Sequence, residues 1–229
     1  MSLNYAFIFA RGGSKELKNK NIKLFNGKPL IYYSINLAKK SKKIKKIFVS
    51  SDNPKILKIA KKYGAEIILR PKKFSNDNSS EIDAWKHAIR YLQNKNDKFD
   101  NFISLPCTSP LRIRKDINIA IQRIKNNNDI IVGISKTNKS PNFNMVKKNA
   151  LKIELLKKNK ALFNRQKSQK IFDLTTIIYA CNYKFVLDIK KTFWEGNVKF
   201  IEIPKIRSID IDDITDFQLA ELIYKKINL

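Results

Sequence analysis

A glycine-rich segment with clustered cations follows the first apolar run, Tyr5–Ala10, of this 229-residue chain. Its glycines and polar side chains are Arg11, Gly12, Gly13, Ser14, Lys15, Lys18, Lys20 and Asn21. Glycine lets the backbone approach an anion closely, and consecutive N–H groups together with Arg or Lys side chains suit phosphate oxygens. The spacing matches neither Gly-x-x-x-x-Gly-Lys-Ser/Thr nor Gly-x-Gly-x-x-Gly. The segment therefore predicts a phosphate-binding loop, with a solvated basic turn as the alternative.

Two aspartates alternate with isoleucines in the run Ser208–Asp212 near the end of the chain. In a strand, Asp210 and Asp212 would point to one face while the isoleucines point to the core. Two carboxylates at that spacing repel each other unless a cation lies between them. Mg²⁺ accepts one or two carboxylates and takes its other ligands from water and phosphate. The run predicts a magnesium site, although Asp212 or Asp213 could instead cap the last helix.

A third polar segment, Ser104–Arg112, runs from a strand into a turn bounded by prolines. It carries two hydroxyls, Thr108 and Ser109, and the guanidinium of Arg112. Open parallel sheets place ligands beyond the carboxyl ends of their strands, which is where this turn would lie. A turn that only connects a strand to a capped helix would explain the segment equally well.

The elements that must position these segments alternate between strand and helix from the start of the chain. Apolar runs of strand length are separated by helical segments with caps, such as Asp52-Asn53-Pro54 and Ser80-Glu81-Ile82-Asp83. This order predicts an α/β, Rossmann-like, mostly parallel sheet with helices on both faces, in a single domain over 1–229. The stretch 137–172 breaks the rhythm and predicts a small β-rich insertion that leaves the main sheet.

The composition narrows the class of protein. The formal net charge is +27, from 47 Lys and Arg against 20 Asp and Glu. The lysines are spread over the whole chain and no aromatic residues interleave with the cluster at 39–46, so nucleic-acid binding is only a distant alternative. Cys107 and Cys181 match no metal or disulfide pattern. With no apolar stretch long enough for a membrane span and no signal-peptide pattern, we expect a cytoplasmic protein without membrane partners.

The first segment, with Lys20-Asn21-Ile22 and Gly27-Lys28-Pro29-Leu30 behind it, resembles the opening signature of acylneuraminate (sialic acid) cytidylyltransferases. The Thr108–Arg112 turn and Ser208–Asp212 are similar to two further motifs of that family. The resemblance implies a nucleotide-diphospho-sugar transferase-like fold and the transfer of CMP from CTP to an acidic nonulosonic sugar, with Mg²⁺ and release of pyrophosphate. It also implies a homodimer in which 137–172 is the dimerisation insertion.

The resemblance also assigns residues, by their positions in these motifs. The implied catalytic residues are Arg11, Lys20 and Asp212, and the metal ligands are Asp210 and Asp212. The implied nucleotide-binding residues are Arg11, Gly12, Gly13, Ser14, Lys20, Asn21, Arg70, Ser79, Ser80 and Thr108. The implied sugar-binding residues are Ser109, Arg112, Arg165, Gln166 and Tyr179. Asp52 matches a family Ser/Thr-Asp pair, but we favour a helix cap for it.

The chain departs from the family pattern on the sugar side. Pro106 stands where the family has glutamine, and Thr175-Thr176 stands where it typically has Asn-Gly. Transfer of CMP to another keto-sugar acid, such as an eight-carbon 3-deoxy acid, therefore stays open as an alternative.

Overall fold

Seven strands form one sheet in the computed structural model, which describes residues 2–76, 79–157 and 170–227. The strands in chain order are β1 (Asn4–Phe9), β2 (Leu24–Phe25), β3 (Lys28–Pro29), β4 (Ile44–Ser51), β5 (Glu66–Leu69), β6 (Asn101–Ser104), β7 (Asp129–Lys136), β8 (Val146–Asn149), β9 (Lys152–Leu155), β10 (Phe172–Asn182) and β11 (Asn197–Glu202). The helices are α1 (Leu30–Lys40), α2 (Pro54–Lys62), α3 (Glu81–Gln93), α4 (Arg114–Arg123), α5 (Tyr183–Asp188) and α6 (Ile214–Lys226).

The main sheet has the order β11-β7-β10-β6-β1-β4-β5. Every neighbouring pair is parallel except those of β10, which runs antiparallel to both β6 and β7. The chain winds from β1 towards β5 on one side and places β6 on the other side of β1. This reversal creates a crevice at the carboxyl ends of β1 and β6, the usual ligand position in open α/β sheets. The predicted fold class is confirmed.

The two faces of the sheet carry separate cores because side chains alternate along each strand. In β1, Ala6 and Ile8 belong to one buried cluster with residues of α1, α2 and α4. Tyr5 and Phe7 belong to a second cluster with residues of α3 and α5. The predicted covering of both faces by helices is therefore present.

A third apolar cluster brings the two ends of the chain together. Phe217 and Ala220 of α6 pack with Phe25, Leu30 and the buried Ile211. This packing carries the segment before α6 to the loop after β1. That segment was predicted as a strand, but residues 208–213 have no regular secondary structure.

The hairpin β8–β9 forms a two-stranded sheet of its own, apart from the main sheet. It lies between β7 and β10, which pair from Lys136 to Phe172 where the chain rejoins the sheet. The predicted departure of the chain from the main sheet within 137–172 is observed there, and residues 158–169 of that stretch lie outside the described ranges. None of the helices in the described ranges has the length and apolar character needed to cross a bilayer.

Candidate functional site

A cleft of about 450 Å³ opens at the crevice beside β1. Six of the residues predicted to bind the nucleotide or the metal line it: Arg11, Ser14, Lys20, Asn21, Thr108 and Asp212. Lys15 also lines the cleft, as does Glu16. Segments almost 200 residues apart in sequence thus supply cations and a carboxylate to one cavity.

The loop after β1 is held by its neighbours. Gly12 donates its N–H to Asp52 Oδ1 at 2.9 Å, and Asn21 Nδ2 donates to the Arg11 carbonyl at 3.0 Å. A Cβ on Gly12 would lie 2.9 Å from Asn53 Cβ, whereas a Cβ on Gly13 would meet no described heavy atom within 4 Å. In this conformation the Gly12 N–H binds protein, and glycine is needed there for close approach to Asn53 rather than to an anion.

Lys20 joins this loop to the segment before α6. Its Nζ donates to the Ile211 carbonyl at 2.6 Å and lies 3.3 Å from Asp212 Oδ1. Ile211 in turn donates its N–H to the Thr108 carbonyl at 2.9 Å. Two hydrogen bonds, one from the Lys20 side chain and one from the Ile211 backbone, therefore connect all three predicted motifs at one place.

The aspartates before α6 divide between two tasks. Asp213 is the N-cap of α6, because its side chain accepts from the Asp216 N–H at 2.9 Å. Asp212 does not cap the helix with its side chain, which is 66% exposed beside Lys20. Of the two alternatives left open by the sequence, the cap belongs to Asp213, and the Asp212 carboxylate faces the cleft.

The surroundings of Asp210 test whether a metal ion fits this site. Its Oδ1 is buried and has no hydrogen-bond partner within the described ranges. A buried carboxylate oxygen is costly without a donor or a cation, so a hard divalent ion fits this donor set. Within the described residues no group of three or more His, Cys, Asp or Glu forms a metal cluster. An ion here would therefore depend on water and phosphate for its remaining ligands.

Arg70 follows β5 and is buried, with an Nε that finds no partner among the described groups. Burial lowers the pKa of Arg70, Asp52 partly offsets that effect, and Arg11 adds to it. Glu81 also favours the charged form of Arg70, so two carboxylates and one further guanidinium act on it. A bound anion would favour the charged form as well.

Ser79 and Ser80 use their hydroxyls locally. Ser79 Oγ donates to the Lys73 carbonyl at 2.8 Å. Ser80 is the N-cap of α3 and accepts from the Asp83 N–H at 3.1 Å. The predicted cap at Ser80 is confirmed, and these contacts give neither hydroxyl a ligand role of its own.

The predicted sugar-binding residues are mostly buried. Ser109 bonds to Thr176 through their hydroxyls at 2.8 Å, and Tyr179 packs its ring 5.3 Å from that of Trp85. Arg112 is 3% exposed and donates to Ser34 and to the carbonyls of Pro106 and Ile177. These contacts place the guanidinium inside the protein framework, and its predicted contact with the sugar stays a prediction. Arg165 and Gln166 lie outside the described residues.

Sequence reasoning missed Glu81, the first residue of α3. Its side chain accepts from Trp85 Nε1 at 3.2 Å. Part of the residue is exposed to water, but protein atoms surround its carboxyl group closely. This desolvation raises the pKa of Glu81 to about 7, and the nearby Asp210 carboxylate also raises it. An acidic residue at a helix start is common, so the sequence offered no signal beyond the cap.

A basic cleft at the switch point of a mostly parallel sheet, lined also by the Asp212 carboxylate, is an arrangement suited to a nucleotide-using enzyme. The family model described as "Cytidylyltransferase" matches residues 5–225. The chain therefore belongs to the cytidylyltransferase family, which makes it a nucleotidyltransferase and confirms the family inferred from its motifs.

The chain is 33% identical over 225 residues to the post-translational flagellin modification protein B of Campylobacter coli, covering 97% of this chain and 95% of that protein. It is 31% identical to the CMP-N,N'-diacetyllegionaminic acid synthase of Campylobacter jejuni, again covering 97% and 95%. A solved CMP:2-keto-3-deoxy-manno-octonic acid synthetase complexed with CTP has a TM-score of 0.74 and 15% identity, covering 99% of this chain and 100% of that one. That likeness shows the fold alone.

Proposed function

We propose that this protein transfers CMP from CTP to the anomeric hydroxyl of a nonulosonic acid and releases pyrophosphate. The observation that carries the proposal is that Arg11 and Asp212 line one cleft although 201 positions separate them in the sequence. The cations and the Asp212 carboxylate that line this cleft match a nucleoside triphosphate with its divalent ion.

The protein's contribution to such a reaction is position and charge. The sugar hydroxyl oxygen bonds to the α-phosphorus, and the bond from that phosphorus to the bridging oxygen breaks with its electron pair passing to pyrophosphate. The hydroxyl proton passes to water. Arg11 and Lys20 offset the charge that develops on the departing pyrophosphate. Lys20 reaches this position from its bonds to Ile211 and Asp212, at the rim of the same cleft.

Asp210 and Asp212 would hold Mg²⁺. When bound, the ion supplies Lewis-acid stabilisation of the phosphate oxygens. The unpartnered Asp210 Oδ1 and the exposed Asp212 carboxylate support this assignment. Ser14, Asn21 and Thr108, which line the cleft, complete the proposed nucleotide site.

The sugar class rests on the relatives. One that matches this chain over nearly its whole length is named for a nonulosonic acid, N,N'-diacetyllegionaminic acid. The solved structure named for an eight-carbon acid shares 15% identity and supports only the fold, so it adds nothing to the alternative substrate. Arg165 and Gln166 remain proposed contacts of the sugar.

A homodimer is part of this proposal. The hairpin β8–β9 and its flanks expose large apolar side chains: Val146, Leu151, Ile153 and Leu156. Apolar side chains on a projecting hairpin favour a covering partner, and a second copy is the partner that the family resemblance implies. Light scattering should give a mass near 53 kDa, about twice the 26.7 kDa of one chain.

A cytoplasmic location completes the proposal. Both cysteines are free and buried, as is usual where thiols stay reduced.

A substrate panel tests the function. Sialic, legionaminic and pseudaminic acids and an eight-carbon 3-deoxy acid would each be incubated with CTP and Mg²⁺ while pyrophosphate release is measured. We expect turnover with at least one nine-carbon acid and at least tenfold lower kcat/KM with the eight-carbon acid. The reverse preference would support the alternative substrate, and release with none of the four acids would contradict the proposal.

A further inference from the structure

Asp52 has no part in the reaction proposed for this protein. It is half-buried at the end of β4, the parallel neighbour of β1. We infer that Asp52 is a positioning residue that holds the loop after β1 in the shape that receives the triphosphate. This inference rests on the proposed use of CTP, and it names a residue that acts through the loop rather than on the substrate.

The hydrogen bonds carry the first step. Asp52 Oδ1 accepts from the Gly12 N–H at 2.9 Å, directly after Ala10 donates its N–H to the Ser50 carbonyl at 3.0 Å. The ladder between β1 and β4 is thus continued by a side chain where the strands end. A charged acceptor makes this bond stronger than a neutral one.

A helix cap does not explain Asp52. Asn53 is the N-cap of α2, and its side chain accepts from the Lys55 N–H at 2.9 Å. The prediction that Asp52 serves mainly as a cap is therefore wrong. Because a Cβ on Gly12 would lie 2.9 Å from Asn53 Cβ, the loop also packs tightly against this cap.

The charges carry the second step. Asp52 favours the charged form of Arg70, while Arg11 disfavours it, so the carboxylate acts in the neighbourhood of both cations. A carboxylate near a phosphate site weakens anion binding by repulsion. Asp52 can aid binding only if its effect on the loop and on the two arginines is larger than this repulsion.

The two effects predict opposite results when Asp52 is replaced. Loss of repulsion alone would tighten the binding of CTP, whereas loss of the loop anchor would weaken it. Asp52→Ala removes both the charge and the acceptor. Asp52→Asn removes the charge but keeps an oxygen that can accept from the Gly12 N–H.

The experiment measures kcat and KM for CTP in both variants, with CTP affinity by calorimetry. We expect Asp52→Ala to raise KM and Kd for CTP about tenfold, with kcat changed less than about threefold and KM for the sugar unchanged. Asp52→Asn should recover at least half of the lost affinity on a logarithmic scale. Asn53→Ala is the matched control, because it removes the α2 cap but keeps the Cβ atom against Gly12, so its melting temperature should fall while KM for CTP stays within about twofold.

Three results would overturn the inference: CTP affinity that is unchanged or tighter in Asp52→Ala, equal losses in the Ala and Asn variants, or an equal loss in Asn53→Ala. The measurement on the wild-type protein separates this failure from that of the proposed function. If the wild type does not bind CTP, the proposed function fails first. If the wild type binds CTP and Asp52→Ala binds it equally well, only the role of Asp52 is wrong.

Discussion

The loop after β1 and the turn after β6 lie side by side at the same edge of the sheet, and both are rich in hydroxyl and cationic side chains. In the loop, Arg11 and Lys20 line the cleft. In the turn, Arg112 and Ser109 are 3% and 1% exposed and bond to protein groups. Arginines in the two segments thus have different surroundings, since Arg11 lines the cleft and Arg112 lies inside the framework of the fold, although Thr108 of the turn also lines the cleft.

This difference shows that a residue's match to a family motif does not by itself establish that the residue contacts a ligand. A side chain can contact a ligand only if its polar atoms reach a cavity, whether or not they also bond inside the protein. Lys20 bonds to Ile211 and Asp212 and still lines the cleft, whereas Arg112 is 3% exposed and donates to Ser34 and to two carbonyls. The following variants sharpen this contrast, beginning with the largest expected effect.

Asp212 and Asp213 are adjacent carboxylates in different surroundings, since Asp212 lines the cleft and Asp213 caps α6. We expect Asp212→Ala to lower kcat about a thousandfold, because the proposed ion loses an exposed ligand in the cleft. Asp213→Ala should leave kcat within about threefold but cost about 1 kcal/mol of unfolding free energy, since it removes the α6 cap. Steady-state kinetics and urea unfolding of both variants check this pair. A near wild-type rate in Asp212→Ala would remove the metal assignment.

Arg112 and Arg11 form the second pair. Arg112→Ala should lower the free energy of unfolding by about 3 kcal/mol, because it removes a buried side chain and its hydrogen bonds to Ser34 and to the carbonyls of Pro106 and Ile177. Arg11→Ala should instead lower kcat/KM for CTP about a hundredfold with a much smaller change in stability. Urea unfolding and kinetics separate the two outcomes. If the Arg112 variant unfolded normally and lost only its affinity for the sugar, the structural role assigned to Arg112 would be wrong.

We expect the smallest change in stability from the variant Glu81→Gln, and this change should depend on pH. Its pKa is raised from 4.5 to about 7 in the folded protein. Between pH 4.5 and 7, Glu81 is therefore protonated in the folded protein but ionised in the unfolded chain. Stability contributed by this residue is therefore present below about pH 4.5 and falls as the pH rises towards 7. After discounting for solvent exposure, we expect Glu81→Gln to be about 1 kcal/mol more stable than wild type at pH 8 and equal to it at pH 4.5. Urea unfolding at both pH values checks this, and parallel pH profiles would contradict it.

Local signals made much of this fold predictable. The predicted cap segment Asp52-Asn53-Pro54 does begin α2, with Asn53 as the N-cap, and Ser80 caps α3 as predicted. Each of these contacts spans only a few residues, so the sequence neighbourhood contains both partners. The strand order and the antiparallel β10 were not predicted, because they depend on pairings between segments far apart in the chain.

The site divides in the same way. Residue types and spacing predicted a phosphate-binding loop at 11–21, with a basic turn as the alternative, and a magnesium site at Asp210 and Asp212. The resemblance of these motifs predicted the cytidylyltransferase family, which the family model confirms. Only the tertiary structure decided that Asp213 rather than Asp212 caps α6, that Asp52 holds Gly12, and that Arg112 is buried. The physical reason is that a side chain's role depends on which partners reach it. Asp212 meets Lys20, Asp52 meets Gly12, and Arg112 meets Ser34 and Ile177, all 40 or more residues away in the sequence.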